Sequence, residues 1–473
     1  MQTTGQRVFG TPVIRTACIG VGLFVALSVC DILLPTTVLD GGAAGGVWTS
    51  SARADDDDDD GGGRRRGGFS GGGGGFSLPR LPGLPAFGIP VPRFGSPSRP
   101  RRAAAPAPEA IRREWIAAGV NDSDVTRLRA AGFTIVAERR LALLPEITVR
   151  LRAPRNLSDR AAQDRLRALI PSATLDRNHL YRASARPCPA ANCFPYTGPR
   201  AADANACRAR GTIGMIDTGV DPSHPALANV IVETDTLLGP GHQPARSTHG
   251  TDVAILIAAG TSGSDFRLTS IDAFHRRGRG ASADAFDIIA ALDRMSAKAI
   301  RVVNLSFAGP PNILLRDAGA AATTKGMLVV AAAGNDGPSS PPRYPAAYDW
   351  AVAVTAVDRH DAVYARAVRG HHIAFAAPGV RLQMPDAALR PGPLRSGTSY
   401  AAPVVTSVLS ARLASAGDPK ISDIVSGLAS AAKDLGAPGR DPVFGFGLVT
   451  ENVSCQTAQR SAAPDVVVTR SGR

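Results

Sequence analysis

The chain has 473 residues, room for two or three domains of about 100–200 residues each, and its hydrophobic fraction of 44% is ordinary for a globular protein. The net charge of +13 does not describe a nucleic-acid footprint, which would cluster on the functional domain. Between Arg208 and Glu451, 23 Lys+Arg stand against 21 Asp+Glu, so the excess lies on the flanking segments.

Residues 1–54 read as a signal peptide or signal anchor. Arg7 and Arg15 precede an uncharged apolar run from Ala17 to Cys30. That run suits the apolar centre of an export signal and falls short of the roughly 20 residues that span a bilayer. Ala52-Arg53-Ala54 has the small-x-small form of a cleavage site, although it lies far from the run. The expectation is an exported protein, secreted, periplasmic or held at the cell envelope, with anchoring through the uncleaved segment as the other possibility.

Residues 55–108 read as a disordered linker. Six aspartates, Asp55 to Asp60, lead into a glycine-rich stretch, and proline recurs from Leu78 to Pro108. Nothing there can form a core. The prolines favour an extended, semi-rigid spacer.

Order is predicted to begin at Glu109. A cap at Asn121/Asp122/Ser123 starts a helix over Asp124–Ala131, and Phe133–Ala137 and Glu146–Leu151 read as strands. Ser158 caps a helix to Leu169, and Thr174–Tyr181 is extended. With a strand before the first helix, this order is that of a small ferredoxin-like α/β sandwich, assigned to 109–186.

The segment 187–455 reads as one α/β domain, with 456–473 as a flexible tail. Gly211–Ile216, Arg301–Phe307, Met327–Ala332 and Ala351–Val357 are predicted strands. Helices are expected from His249 through Ala259, over Phe286–Met295 and Ile313–Thr324, and from Ser399 to Leu413. Such alternation means a doubly wound parallel sheet covered on both faces. Four cysteines lie beyond the leader: Cys188, Cys193, Cys207 and Cys455. Their spacing is not that of a zinc site. In an exported chain they suggest disulfides, of which Cys188–Cys193 and Cys207–Cys455 are the expected pairs.

Three segments carry chemistry. Asp217 ends a buried strand in Gly214-Met215-Ile216-Asp217-Thr218-Gly219, while His249 (in Thr248-His249-Gly250-Thr251) and Ser399 (in Gly397-Thr398-Ser399-Tyr400-Ala401-Ala402-Pro403) each start a helix. A serine nucleophile needs a base for its proton and a carboxylate to orient that base. The chain order Asp, His, Ser and the lack of Gly-x-Ser-x-Gly at Ser399 both exclude the α/β-hydrolase arrangement.

DTGVDPSHPAL, HGTDVA and GTSYAAP resemble the three active-site motifs of the subtilisin family, over roughly Gly211 to Leu448. The resemblance implies a serine endopeptidase with Asp217, His249 and Ser399 as catalytic triad. It makes Asn335, in Ala332-Ala333-Gly334-Asn335-Asp336-Gly337, the side-chain donor of an oxyanion hole, with the Ser399 backbone N–H as the second donor. It also implies that Ser306, Phe307, Ala308 and Gly309, with Gly334, bind substrate, the strand pairing with an extended peptide. Ala308 stands where glycine is common in the family, and by the resemblance its methyl is expected to narrow the primary pocket. Asp252 stands where many relatives have a second, non-catalytic histidine.

By the same resemblance 109–182 would be a propeptide, folding aid and intramolecular inhibitor, cut off by the enzyme itself somewhere between Tyr181 and Cys207. No cofactor or metal ligand is expected: the stretch after the His249 helix is too short for the tight calcium loop of relatives, which leaves at most a weak calcium site. His224 reads as structural, and His371-His372 as a strand pair facing opposite ways. The partners implied are protein or peptide substrates and the chain's own propeptide. Two other classes were compatible with the motifs: a catalytically silent binding protein on the same scaffold, and an exported esterase.

Overall fold

In the computed structural model the described residues are 110–183, 186–187, 209–239, 242–261, 266–277, 280–417 and 419–450. The expected leader, linker and tail and all four candidate disulfide cysteines fall outside them.

The chain opens with β1 (Ala110–Val120), α1 (Asp122–Ala130), β2 (Thr134–Arg140), β3 (Ile147–Arg152), α2 (Asp159–Leu169) and β4 (Thr174–Arg182). Asn121 starts α1 through a capping box, accepting from the Asp124 N–H while Asp124 accepts from its own. Ser158 caps α2 by accepting from the Ala161 N–H. The strands lie in the order β2-β3-β1-β4, all antiparallel. This is the ferredoxin-like sandwich expected from the sequence.

Its sheet does not stop there. After β5 (Arg186–Pro187), β6 (Thr212–Asp217), β7 (Ile231–Thr236), α3 (Thr248–Ala259) and β8 (Arg267–Asp272) comes a hairpin, β9 (His275–Arg277) and β10 (Gly280–Asp284). β10 pairs antiparallel with β4, so six strands run β2-β3-β1-β4-β10-β9. One face of the N-terminal strands covers α1 and α2 through Trp115, Leu128, Phe133, Leu151 and Leu166. The other face joins the main core, where Ile116, Ala118 and Tyr181 cluster with Phe286, Ile289 and Leu315. That is why five consecutive residues of β1, Glu114 to Ala118, are buried with no alternation.

The remaining elements are α4 (Ala285–Ala297), β11 (Val302–Leu305), α5 (Ile313–Thr324), β12 (Leu328–Ala332), β13 (Ala351–Val357), β14 (Ile373–Pro378), β15 (Leu382–Pro385), β16 (Pro391–Ser396), α6 (Thr398–Ser415) and α7 (Ile421–Ala431). Seven strands form a parallel sheet in the order β14-β13-β12-β11-β6-β8-β7. Strand order reverses at β6, because the chain next builds one side (β7, β8) and later the other (β11 to β14). Open α/β sheets place their sites outside the carboxyl ends of the strands at such a point.

The two parts share buried charge. Arg150 Nε donates to Glu114 at 2.7 Å, and its guanidinium lies 3.1 Å from Asp284 at the start of α4. Asp176 of β4 accepts from the Ile313 N–H at 2.8 Å, satisfying an orphan donor of α5. His371 and His372 lie in the turn before β14 and not in a strand, a correction to the expectation from sequence. His224 is structural as expected: it caps a short 3-10 helix, Nδ1 accepting from the Ala226 N–H. Among the described residues no helix is long and apolar enough to cross a membrane.

Candidate active site

Asp217 ends β6 and is fully buried, with Oδ1 accepting from the Thr218 N–H at 2.7 Å. His249 is the second residue of α3, and its Nδ1 lies 2.7 Å from the same oxygen. Gly250 makes that approach possible, since a side chain there would run into the carbonyls of Thr218 and Gly219. The bond to Asp217 places the proton on Nδ1 and leaves Nε2 as the basic nitrogen. Nε2 has no hydrogen-bond partner among the described residues.

Burial pulls the His249 pKa down, but the charge and hydrogen bond of Asp217, helped by Asp252, outweigh it, and the net shift is upward. Asp252 sits one helical turn along α3, buried, accepting from Arg395 Nε at 2.8 Å. Asp272 lies beside Asp217 in register on β8. Burial and the Asp217 charge push its pKa up to about 6.

Ser399 is the second residue of α6, where backbone N–H groups have no helical acceptor. Its Oγ donates to the Ser306 carbonyl at 3.0 Å. Asn335 follows β12, and its Oδ1 accepts from the Thr398 N–H at 3.0 Å and the Thr398 hydroxyl at 3.1 Å. These two bonds identify the oxygen of the amide and leave Nδ2 as its donor end. Thr398 also accepts from the Gly334 N–H at 3.1 Å, fastening the 334–335 turn to the start of α6.

The residues predicted to bind substrate are already engaged. Arg182, at the end of β4, exchanges both backbone hydrogen bonds with Ala308, at 2.9 and 3.1 Å. Tyr181 beside it is fully buried, edge-on to Phe307 at 5.9 Å, with its hydroxyl donating to the Pro310 carbonyl at 3.0 Å. Gly309 has no side chain because one would strike the Tyr181 ring. Beyond the site, β5 pairs antiparallel with β16, Arg186 opposite Ser396. Ser306 is fully buried, and its side chain serves the Ser399 backbone.

Sequence reasoning missed several supporting residues. Asn304 and Thr406 form a buried chain to Ser306, Thr406 Oγ1 to Asn304 Oδ1 at 2.9 Å and Asn304 Nδ2 to Ser306 Oγ at 2.9 Å. Arg395 and Asp272 are similarly unmarked by any motif, and Thr398 stands in the Ser399 motif without having been given a role. The available signal was polar residues inside otherwise apolar elements, since a buried polar group needs a partner. No group of metal-ligating side chains occurs among the described residues; residues 262–265, after α3, are outside them.

Residues 210–447 match the subtilase family. The chain is 36% identical over 216 residues to a thermophilic serine proteinase of Bacillus sp. (strain AK1), covering 43% of this chain and 52% of that one. It is 28% identical over 275 residues to the minor extracellular protease Epr of Bacillus subtilis (strain 168), covering 54% of this chain and 40% of that one. It thus spans about half the length of these relatives. Subtilisin DY of Bacillus licheniformis is 29% identical over 255 residues and is covered to 90%. Among solved structures, fervidolysin from Fervidobacterium pennivorans, a keratinolytic enzyme related to subtilisin, shares the fold with a TM-score of 0.59 at 20% identity, over 72% of this chain and 60% of that one. The chain belongs to the subtilase family of serine peptidases.

Proposed function

We propose that this protein is an exported serine endopeptidase, made as a precursor that its own active site cuts. One observation carries the reading: Asp217 holds His249 by a 2.7 Å bond, and the His249 ring lies 5.7 Å from that of Tyr400, the residue after Ser399. The export signal read from the N-terminal sequence and the extracellular relative support export.

Ser399 turns its hydroxyl from the Ser306 carbonyl to His249 Nε2, which takes the proton as Oγ attacks the substrate carbonyl carbon. The carbonyl oxygen becomes an oxyanion, held by Asn335 Nδ2 and the Ser399 N–H. Collapse breaks the C–N bond, and the imidazolium gives its proton to the leaving amine. Water then attacks the acyl-enzyme, His249 taking its proton, and the acid leaves with Ser399 restored. Asp217 orients His249 and stabilises its cation throughout.

The first substrate is the chain itself, with 109–182 acting as the propeptide. Arg182 pairs with Ala308 on one side of Ser399, and Arg186 with Ser396 on the other. The bond to be cut therefore lies between Ala183 and Arg186, and Tyr181 fills the apolar pocket upstream of it. Protein substrates would enter in the same extended pairing.

The test is expression of the wild type and Ser399→Ala in a host without other exported proteases, followed by intact-mass measurement and peptide-library cleavage. The wild type should split between residues 183 and 186 and cut peptides, and Ser399→Ala should stay whole and inactive. Normal processing of Ser399→Ala, or a wild type that is whole yet active, would overturn the precursor reading.

A further inference from the structure

An open groove of about 980 Å³ runs along α5, away from the triad. Tyr344, Tyr348 and Trp350 form one wall, with successive ring centroids 4.5 and 5.1 Å apart. The wall is built and fixed: Trp350 Nε1 donates to the Arg316 carbonyl at 3.0 Å, and the Tyr348 hydroxyl bonds both the N–H and the carbonyl of Asn312. Three carboxylates, Asp176, Asp317 and Asp349, line the groove against a single arginine.

The strand pairing says which segment reaches this groove. Ala110, the first residue of β1, pairs with His179, which lines the groove mouth. Farther along β4, Arg182 has Ser282 on one side and Ala308 on the other. Since β10 holds one edge of β4, the Ala308 strand takes the same edge as β1, just past Ala110. Ala110 and Ala308 thus share one edge of β4, opposite His179 and Arg182, and Pro310, two residues on from Ala308, lines the groove.

The sequence leading to Ala110 is PSRPRRAAAPAP, residues 97–108, with four prolines, three arginines and no acidic residue. Proline-rich segments adopt polyproline II and dock against aromatic walls. Arginine suits both aromatic faces and carboxylates. At about 3.1 Å per residue such a segment reaches farther than the ~18 Å of α5.

We propose that residues 97–108 lie in the Tyr344–Trp350 groove, prolines on the rings and Arg99, Arg101 or Arg102 against Asp317 and Asp349. Bound there, the segment braces the N-terminal domain against α5 and raises the effective concentration of that domain at the site. The contact does not depend on catalysis, so it is tested in the full chain carrying Ser399→Ala.

In that background, Arg99→Lys, Arg101→Lys and Arg102→Lys let a carbodiimide join the segment to nearby carboxylates. Mass spectrometry should find intramolecular cross-links to Asp317 or Asp349 above those to other surface carboxylates. In a second arm with Trp48→Phe, replacing the three arginines by serine should increase acrylamide quenching of Trp350, Trp115 being buried. Cross-links spread evenly over the surface, cross-links between two chains, or quenching unchanged by the serine substitutions would each overturn the proposal. So would tight binding at this groove of an added proline-rich peptide that leaves the chain's own cross-links unaltered.

Discussion

Ser306 and Ser399 hold each other by reciprocal hydrogen bonds: Ser306 Oγ donates to the Ser399 carbonyl at 2.8 Å, and Ser399 Oγ to the Ser306 carbonyl at 3.0 Å. The first bond replaces one the helix cannot make. Four residues along α6 stands Pro403, which has no N–H to give the Ser399 carbonyl. Ser306→Ala therefore strands the buried Ser399 carbonyl as an acceptor, at a cost of about 1–3 kcal/mol. Denaturant unfolding of the Ser399→Ala precursor with and without the change should show that loss, and peptide turnover of the active form should fall with it. An unchanged unfolding midpoint would mean that the carbonyl finds another partner.

Truncating Asn335 to Ala should leave substrate affinity nearly intact and cut turnover by roughly 10²–10³, because the lost donor acts on the oxyanion of the transition state. Steady-state kinetics on one peptide, with kcat and KM resolved, checks this. A drop confined to KM would remove Asn335 from the oxyanion hole.

The pH profile follows from the direction of the His249 shift. Its pKa is raised, so the imidazolium persists to higher pH and the neutral base appears only above that value. Activity should rise through a midpoint above about 6.5, the ordinary histidine value. Asp252→Asn removes a carboxylate that raises the pKa and leaves Arg395, which lowers it, so the midpoint should move down. A rate flat from about pH 5 to 9 would speak against a histidine base.

Tyr181→Ala empties the pocket beside Phe307 and removes the bond to the Pro310 carbonyl. The Ser399→Ala precursor should lose about 3–5 kcal/mol, the usual cost of deleting a buried aromatic ring. In the active protein the same change should slow self-cleavage, followed by intact mass over time. Equal stability and equal cleavage rates would show that Tyr181 is not an anchor.

Chelating calcium should lower the melting temperature only slightly, because the connection after α3 is short. A fall of about ten degrees or more, reversed by added calcium, would reveal a tight site.

Much of this architecture was legible in the sequence because local signals and burial agree there. The apolar runs at β6, β12 and β13 sit in a parallel sheet buried on both faces, and Asn121 and Ser158 announce their helices by side-chain chemistry alone. β7, with its Glu233 and Asp235, was not legible, since it lies at an edge of the sheet and carries no apolar pattern. The β15–β16 hairpin was hidden by prolines at 385, 391 and 393. Asp217, His249 and Ser399 were readable as candidates because each stands in its own motif. The Asn304–Ser306–Thr406 chain and the Asp252–Arg395 pair were not, since each joins residues about 100 or more positions apart, a proximity only the fold creates.

The shared sheets also bear on solubility. β10 has β9 on one edge and β4 on the other, and β16 lies between β15 and β5. If β4 and β5 depart after cleavage, β10 and β16 become open templates for any extended chain, another copy of the same molecule included. Both are short, at five and six residues, and Pro391 and Pro393 take two N–H donors out of β16. The freed edges would then be long enough to grip a peptide in passing and too short to nucleate a stack.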